Sequence, residues 1–238
     1  MFPGPDTIYQ CPQCDNCISV GSLMSGNTFG AKLYSDGKCV AGMMPEFPKI
    51  TRCSKCKTIF WISKAKKIGQ RGFVVTDILE GTIEDQKYQN AQTARFLSLQ
   101  QYILALEIPI YTSFEEEFYI RKRLWWYSND RVRDGKISTR LLWYFIDRLR
   151  DRKSLFIFGF NRRRLFENTN RLLELLYATN DNEKVMLAEL YRNLGHFEKC
   201  MDILNSIEDP EFNSIKAAFK KKCNDKNTVH HNNPYLFS

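Results

Sequence analysis

Histidine is scarce in this chain, with three among 238 residues. His196 follows Leu194-Gly195, and His230 and His231 lie near the end. None neighbours a Ser or Cys in a nucleophile context, so hydrolytic catalysis lacks its usual base. The phosphate-binding patterns GxxxxGK[ST] and GxGxxG are also missing. Glu116 and Glu117 read as the first turn of a helix, where the dipole favours acids, rather than as an acid–base pair. No apolar run approaches the roughly 20 residues needed to span a bilayer. Met1-Phe-Pro-Gly-Pro-Asp-Thr7 has neither the basic nor the apolar region of a secretory signal. The expectation is a cytoplasmic protein that is not an enzyme and has no membrane contact.

Cysteine is present and unevenly placed. Six of the eight precede residue 57, and only Cys200 and Cys223 lie beyond it. Cys11-Pro-Gln-Cys14 and Cys53-Ser-Lys-Cys56 are CxxC pairs. Each pair forms a knuckle with two converging sulfurs, and two knuckles supply the four ligands of a tetrahedral Zn²⁺. Four protein ligands leave no position for water, which makes such a zinc structural. The separation of the pairs is long, but its glycines and the turn signal Ser35-Asp36-Gly37-Lys38 let it fold back as a hairpin between Phe29–Tyr34 and Cys39–Met43. Thr58–Ile62 follows as a strand. Cys17 extends the first knuckle to CxxCxxC, and Cys39 lies in the hairpin. Both read as small buried hydrophobes. An iron–sulfur cluster on CxxCxxC with a distant fourth Cys, or a set of disulfides, remains an alternative.

On these residues, 9–65 resemble a zinc-ribbon domain. Ser25-Gly-Asn-Thr-Phe-Gly-Ala-Lys-Leu33 and Pro45-Glu-Phe-Pro-Lys-Ile50 are similar to segments of uncharacterised bacterial proteins. Those proteins join such a ribbon to a helical, tetratricopeptide-like half. The resemblance implies no activity, since ribbons contact nucleic acid, contact protein or act as staples.

The net charge of +8 is concentrated. Between Arg121 and Arg164 there are fourteen Lys/Arg and four Asp/Glu, so the rest of the chain is slightly acidic. Trp125, Trp126, Tyr127, Trp143, Tyr144, Phe156, Phe158 and Phe160 interleave with those cations. Basic residues among aromatic platforms suit single-stranded nucleic acid, which makes Arg121, Lys122, Arg123, Arg131 and Arg133 candidate contacts. The competing reading is a solvated helix surface around core aromatics. Two adjacent Trp cannot both face one core from a helix, so one meets another element. Asn129, Asp130, Arg131 and Arg133 line a pocket on one reading. On the other they tie a helix end down at a domain junction.

The expected organisation is α+β: a small N-terminal β zinc ribbon followed by an all-α, tetratricopeptide-like region. Residues 1–8 form a flexible start, 9–67 the ribbon, 68–82 a connector, 83–224 the helices and 225–238 a polar tail. Phe73–Leu79 is an edge strand or part of that connector. Helices are expected over Thr93–Glu107 and from the Thr112/Ser113 cap to Asp134-Gly135. Ser138 or Thr139 caps another running to Leu149. Phe156–Phe160 reads as a loop or a turn of helix, and Arg164–Thr179 as helix. Lys184 to Pro210 resembles one tetratricopeptide repeat, with Leu187, Ala188 and Tyr191 inward, Gly195 turning, and Phe197, Cys200, Leu204 and Ile207 facing back. Phe212–Lys222 closes the set. The expected role is a zinc-binding adaptor offering a helical surface to another protein. Nucleic-acid binding through 121–164 is the alternative, and an iron–sulfur sensor a further one.

Overall fold

The computed structural model describes residues 1–72, 87–108, 110–133 and 154–224. The segment 73–79, the helix expected over 138–149 and the tail 225–238 lie outside the described residues. The chain is α+β: eight strands come first, then six helices among the described residues. It divides into two compact units. One comprises Met1–Ala31 and Val40–Ala105. The other comprises Lys32–Cys39 with the described residues from Leu106 onward.

The first unit is built on a sheet ordered β7-β1-β2-β8. β1 (Phe2–Gln10) pairs antiparallel with β2 (Cys17–Ser25) and with β7 (Lys66–Arg71), and β8 (Gln92–Thr93) lies parallel to β2. Residues 1–8 are therefore not a flexible start, and 68–71 are not a connector. Asp6 holds the two ends together, accepting from Arg71 Nη2 at 2.9 Å and Ser19 Oγ at 2.5 Å. Pro3 and Pro5 are accommodated because the register shifts beside each, where a missing N–H costs no ladder bond. A second antiparallel pair joins β5 (Ile50–Arg52) to β6 (Ile59–Trp61). Cys11, Ile18, Cys53, Phe60, Ile62 and Ala94 form one buried cluster beside the knuckles.

Helix α1 (Leu99–Glu107) begins six residues later than the pattern suggests, because Gln92 and Thr93 are taken by the sheet.

The short hairpin of β3 (Lys32–Leu33) and β4 (Cys39–Val40), with shorter strands than expected, belongs to the second unit as far as Cys39. α2 (Phe114–Arg133) opens where expected. Ser113 Oγ accepts from Glu116 N, and the Glu116 carboxylate accepts from Thr112 N at 2.8 Å, forming a capping box. Its buried apolar residues are Tyr119, Ile120, Leu124, Trp125 and Trp126, with Glu117, Arg123 and Asn129 also buried, whereas Phe114 is exposed. α3 (Ser154–Leu175) runs straight through the expected break at 156–160. α4 (Asp181–Asn193), α5 (Phe197–Asn205) and α6 (Asn213–Asn224) follow. Gly195, at φ +82°, supplies the left-handed turn between α4 and α5.

α4 is buried on two faces. Val185 and Ala188 join Cys200, Leu204, Phe212, Ile215 and Phe219 in one cluster. Leu190 joins Trp125, Trp126 and Leu172 in another. Tyr191 is half-buried and packs against the first cluster, so Ala188 and Tyr191 face inward as expected, whereas Leu187 is half-buried and belongs to neither cluster. Glu189 and Arg192 are fully buried and bonded to each other, with Arg192 Nε to Glu189 Oε2 at 3.0 Å and Nη2 to Oε1 at 2.7 Å.

The hairpin tip is pinned under α2. Trp126 Nε1 donates to the Asp36 carbonyl at 2.8 Å, Asn129 Nδ2 to Asp36 Oδ2 at 2.5 Å, and Lys38 Nζ to Asp130 Oδ2 at 2.5 Å. Trp125 and Trp126 lie in the same cluster, contrary to the expectation that adjacent tryptophans cannot share a core, and Trp126 also reaches the hairpin through its Nε1; Asn129 and Asp130 tie structure down rather than line a pocket. Gly37 has φ +73°, and a Cβ there would stand 2.3 Å from Met186 Sδ, so only glycine fits.

Candidate metal centre

The two CxxC pairs are built alike. In the first, Cys11 N donates to Asn16 O at 2.9 Å and Asp15 N to Cys11 O at 3.3 Å. In the second, Cys53 N donates to Thr58 O at 2.9 Å and Lys57 N to Cys53 O at 3.1 Å. Each loop reverses through one left-handed residue after its second Cys: Asp15 at φ 56° and Lys57 at φ 66°. The loops cap the β1–β2 and β5–β6 hairpins, so both knuckles are hairpin tips. The expected form, in which the hairpin lies between the knuckles, captures only part of this.

The four sulfurs of Cys11, Cys14, Cys53 and Cys56 lie within 4.8 Å of one another. Cys11 and Cys56 are 3.6 Å apart, as are Cys14 and Cys53. A tetrahedral ion with bonds of about 2.3 Å has ligand sulfurs about 3.8 Å apart, so the set can hold one metal ion. All eight cysteines are free, and none is in a disulfide. Cys17 is half-buried at the start of β2, Cys39 is exposed, and neither belongs to the four-sulfur group. Exposure contradicts the buried reading of Cys39.

The thiols differ in readiness to ionise. Hydrogen bonding from the Thr58 hydroxyl, then from its backbone N–H, pulls Cys56 down to about 6. Burial pushes Cys11 up to about 12. Backbone N–H groups of Lys55 and Cys56 point at Cys53, and that of Asn16 at Cys14.

Asn16 and Gln92 were not visible as site residues in the sequence. Asn16 Nδ2 lies 3.5 Å from Cys53 Sγ and donates to Gln92 Oε1 at 3.2 Å. The same Gln92 oxygen accepts from Ser54 N at 2.6 Å, and Gln92 Nε2 donates to Arg52 O at 2.8 Å. One amide thereby clamps the two knuckles together. Outer partners of this kind orient ligands and tune metal affinity. The only sequence signal was an Asn two residues after a CxxC. Gln92 gave none, being 36 residues beyond Cys56.

Of the candidate nucleic-acid contacts, Arg121, Lys122 and Arg123 are engaged within the second unit. Glu117 receives Arg121 Nε at 2.7 Å and Arg171 at 3.0 and 3.1 Å. Arg171 first, then Arg121, hold its carboxyl below the usual range. Lys122 lies over the Phe118 and Trp126 rings, and Arg123 over Tyr119 and Trp126. The side chains of Arg131 and Arg133 lie outside the described residues. His196 precedes α5 and meets the Tyr191 ring edge-on.

No protein-family model matches the chain, and no curated protein or solved structure matches it. Among the described residues no helix is long and apolar enough to cross a membrane.

Proposed function

We propose that the protein is a non-enzymatic zinc-binding adaptor of the cytoplasm, whose tetratricopeptide-like helices bind another protein. The observation that carries this reading is the closed set of four cysteine sulfurs. Cys11, Cys14, Cys53 and Cys56 would ligate Zn²⁺ as thiolates and fill its tetrahedral shell, which suits a structural ion. Sulfurs 3.6 Å apart enclose a single ion and leave no room for the several irons of a cluster. The antiparallel pairing of α4 with α5 around Gly195 supports the repeat-like reading. The internal partners of Arg121, Lys122 and Arg123 favour a protein partner over nucleic acid at segment 121–164.

Elemental analysis should find one zinc per chain in a colourless preparation, and visible thiolate-to-iron absorption would refute the zinc assignment. Cys11→Ser and Cys53→Ser should lose the metal, while Cys17→Ser and Cys39→Ser keep it. Retention in the first two, or loss in the second two, makes the ligand set wrong. For the partner, affinity capture of the native protein from its host should recover a protein whose retention survives nuclease. Retention abolished by nuclease would favour the nucleic-acid reading.

A further inference from the structure

Large apolar side chains stand in the open at one end of the first unit's sheet. Phe2 is 70% exposed and Met24 62%, and they come together where Phe2 pairs with Ser25 across β1 and β2. A Cβ on Gly26 would stand 2.4 Å from the Met43 carbonyl oxygen, so this glycine lets the turn carrying Met43 and Met44 lie alongside. Met44 N donates to Ala41 O at 3.1 Å in that turn, and both methionines are exposed. Phe29 follows shortly after Gly26 and is 89% exposed. Its turn is closed: Phe29 N donates to Asn27 Oδ1 at 3.1 Å, Ala31 N to Thr28 O at 2.9 Å, and Gly30 has φ +69°. A fixed turn thus presents a ring that packs on little of its own chain. All five residues belong to the first unit.

Charge is missing from the segments that form this face. Residues 1–5, 16–31 and 39–45 contain no Asp, Glu, Lys or Arg, in a chain of which 26% is charged. Nucleic acid, an anionic membrane or an acidic protein would find no basic side chain there to bind. The occupant therefore brings a neutral apolar face, and a second copy of this chain carries one. Two chains of net charge +8 repel elsewhere on their surfaces and meet here with least repulsion. The area is also sufficient. At roughly 200 Å² for a whole Phe or Met side chain, the five residues leave about 600 Å² of apolar surface open. A standard interface takes about 800 Å² from each partner, a little over half of it apolar.

We propose that this face is the interface of a homodimer, in which the patch around Met24 and Phe29 packs on the same patch of a second copy about a two-fold axis. The proposal goes beyond the adaptor reading and does not rest on it.

Sedimentation equilibrium of the full zinc-loaded chain tests it, from about 0.1 to about 100 µM. A reductant keeps the exposed Cys39 from cross-linking copies. The wild type should dimerise within this range. Phe29→Ser should weaken association at least about a hundredfold, because a two-fold interface carries each substitution twice. Met24→Lys should do as much by adding a like charge from each copy. Phe166→Ser on α3, where the ring is 57% exposed outside the patch, should change nothing. Zinc content and helical circular dichroism are measured for every variant. Added salt should leave the dimer unchanged or tighten it, and weakening by salt would overturn the apolar account. A wild type that stays monomeric at about 100 µM overturns the proposal: flotation of that monomer with phosphatidylcholine vesicles would give the patch to lipid, and no flotation to a different protein. It is equally overturned if Phe29→Ser and Met24→Lys, still zinc-loaded, dimerise as the wild type does.

Discussion

Replacing Gln92 by alanine should weaken zinc binding without touching a single ligand. Its amide makes three hydrogen bonds, to Ser54 N, Asn16 Nδ2 and Arg52 O. At about 1 kcal/mol net each, the loss approaches 3 kcal/mol. Ser54 is exposed and recovers part of its bond from water, which brings the figure to about 2 kcal/mol. Outer partners of metal ligands are typically worth ten- to a hundredfold in affinity, or about 1.4–2.7 kcal/mol. The two routes agree, so Gln92→Ala should bind zinc about thirtyfold more weakly. Competition against a chromophoric chelator, under reductant, reads this directly. Gln100→Ala, exposed on α1, is the control. At saturating zinc the variant should still hold one ion per chain. A change below threefold would show that the knuckles hold their spacing without this clamp, and the argument for Gln92 would fall.

Lys57→Gly should stabilise the zinc-loaded ribbon by about 0.5 kcal/mol, since relief of the left-handed conformation outweighs the entropy glycine adds to the unfolded chain. A lowered melting temperature would refute the strain. Glu189→Leu should cost about 3–5 kcal/mol by leaving the Arg192 charge buried, and Glu189→Leu with Arg192→Leu should recover most of it. Denaturation followed at 222 nm measures both, and a mild single variant would contradict the buried pair. Acid should weaken the α2–α3 seam. Glu117 has a folded pKa below its unfolded one, so its stabilisation is complete above the ordinary carboxylate value and is lost as pH falls through the lower folded value. Glu117→Gln should flatten the acid limb of the melting profile, and an unchanged limb would count against the seam.

The site was legible where chemistry forces spacing. Two sulfurs on one ion need a CxxC loop, and two CxxC pairs announce a centre before any strand is placed. Helix starts were legible for the same reason: Ser113 with Glu116 is a local device. Sequence reasoning failed where the decisive partner was remote or the residue type misled. Pro3, Gly4 and Pro5 read as a loose start because the strand they begin exists only through β2 and β7 and a register that shifts at the prolines. β8 is two residues long, too short for any periodicity. Glu189 and Arg192 carry no sequence signal of burial, because their mutual bond is what allows it. The hairpin of Lys32–Cys39 looked like an ornament of the ribbon, yet Asp36 is fully buried among α2 side chains.

The first unit shows what a metal held by the four sulfurs would stabilise. β5 and β6 are three residues each, and an isolated two-stranded pair of that length does not hold in water. Two of the six buried residues in its core cluster are themselves cysteines of the sulfur set, Cys11 and Cys53. The ligand sulfurs are thus part of the packing, and a structural zinc held by them would add roughly 10–16 kcal/mol, as in small metal-bound domains. Ligand binding and folding of the second knuckle are therefore one event. Gln92 ties this knuckle, through Ser54 N, and the end of β5, through Arg52 O, to β8. The second knuckle thus depends on the four sulfurs being held together, whereas the helical clusters around Trp125 and Phe219 contain no sulfur from that set and have their own packing.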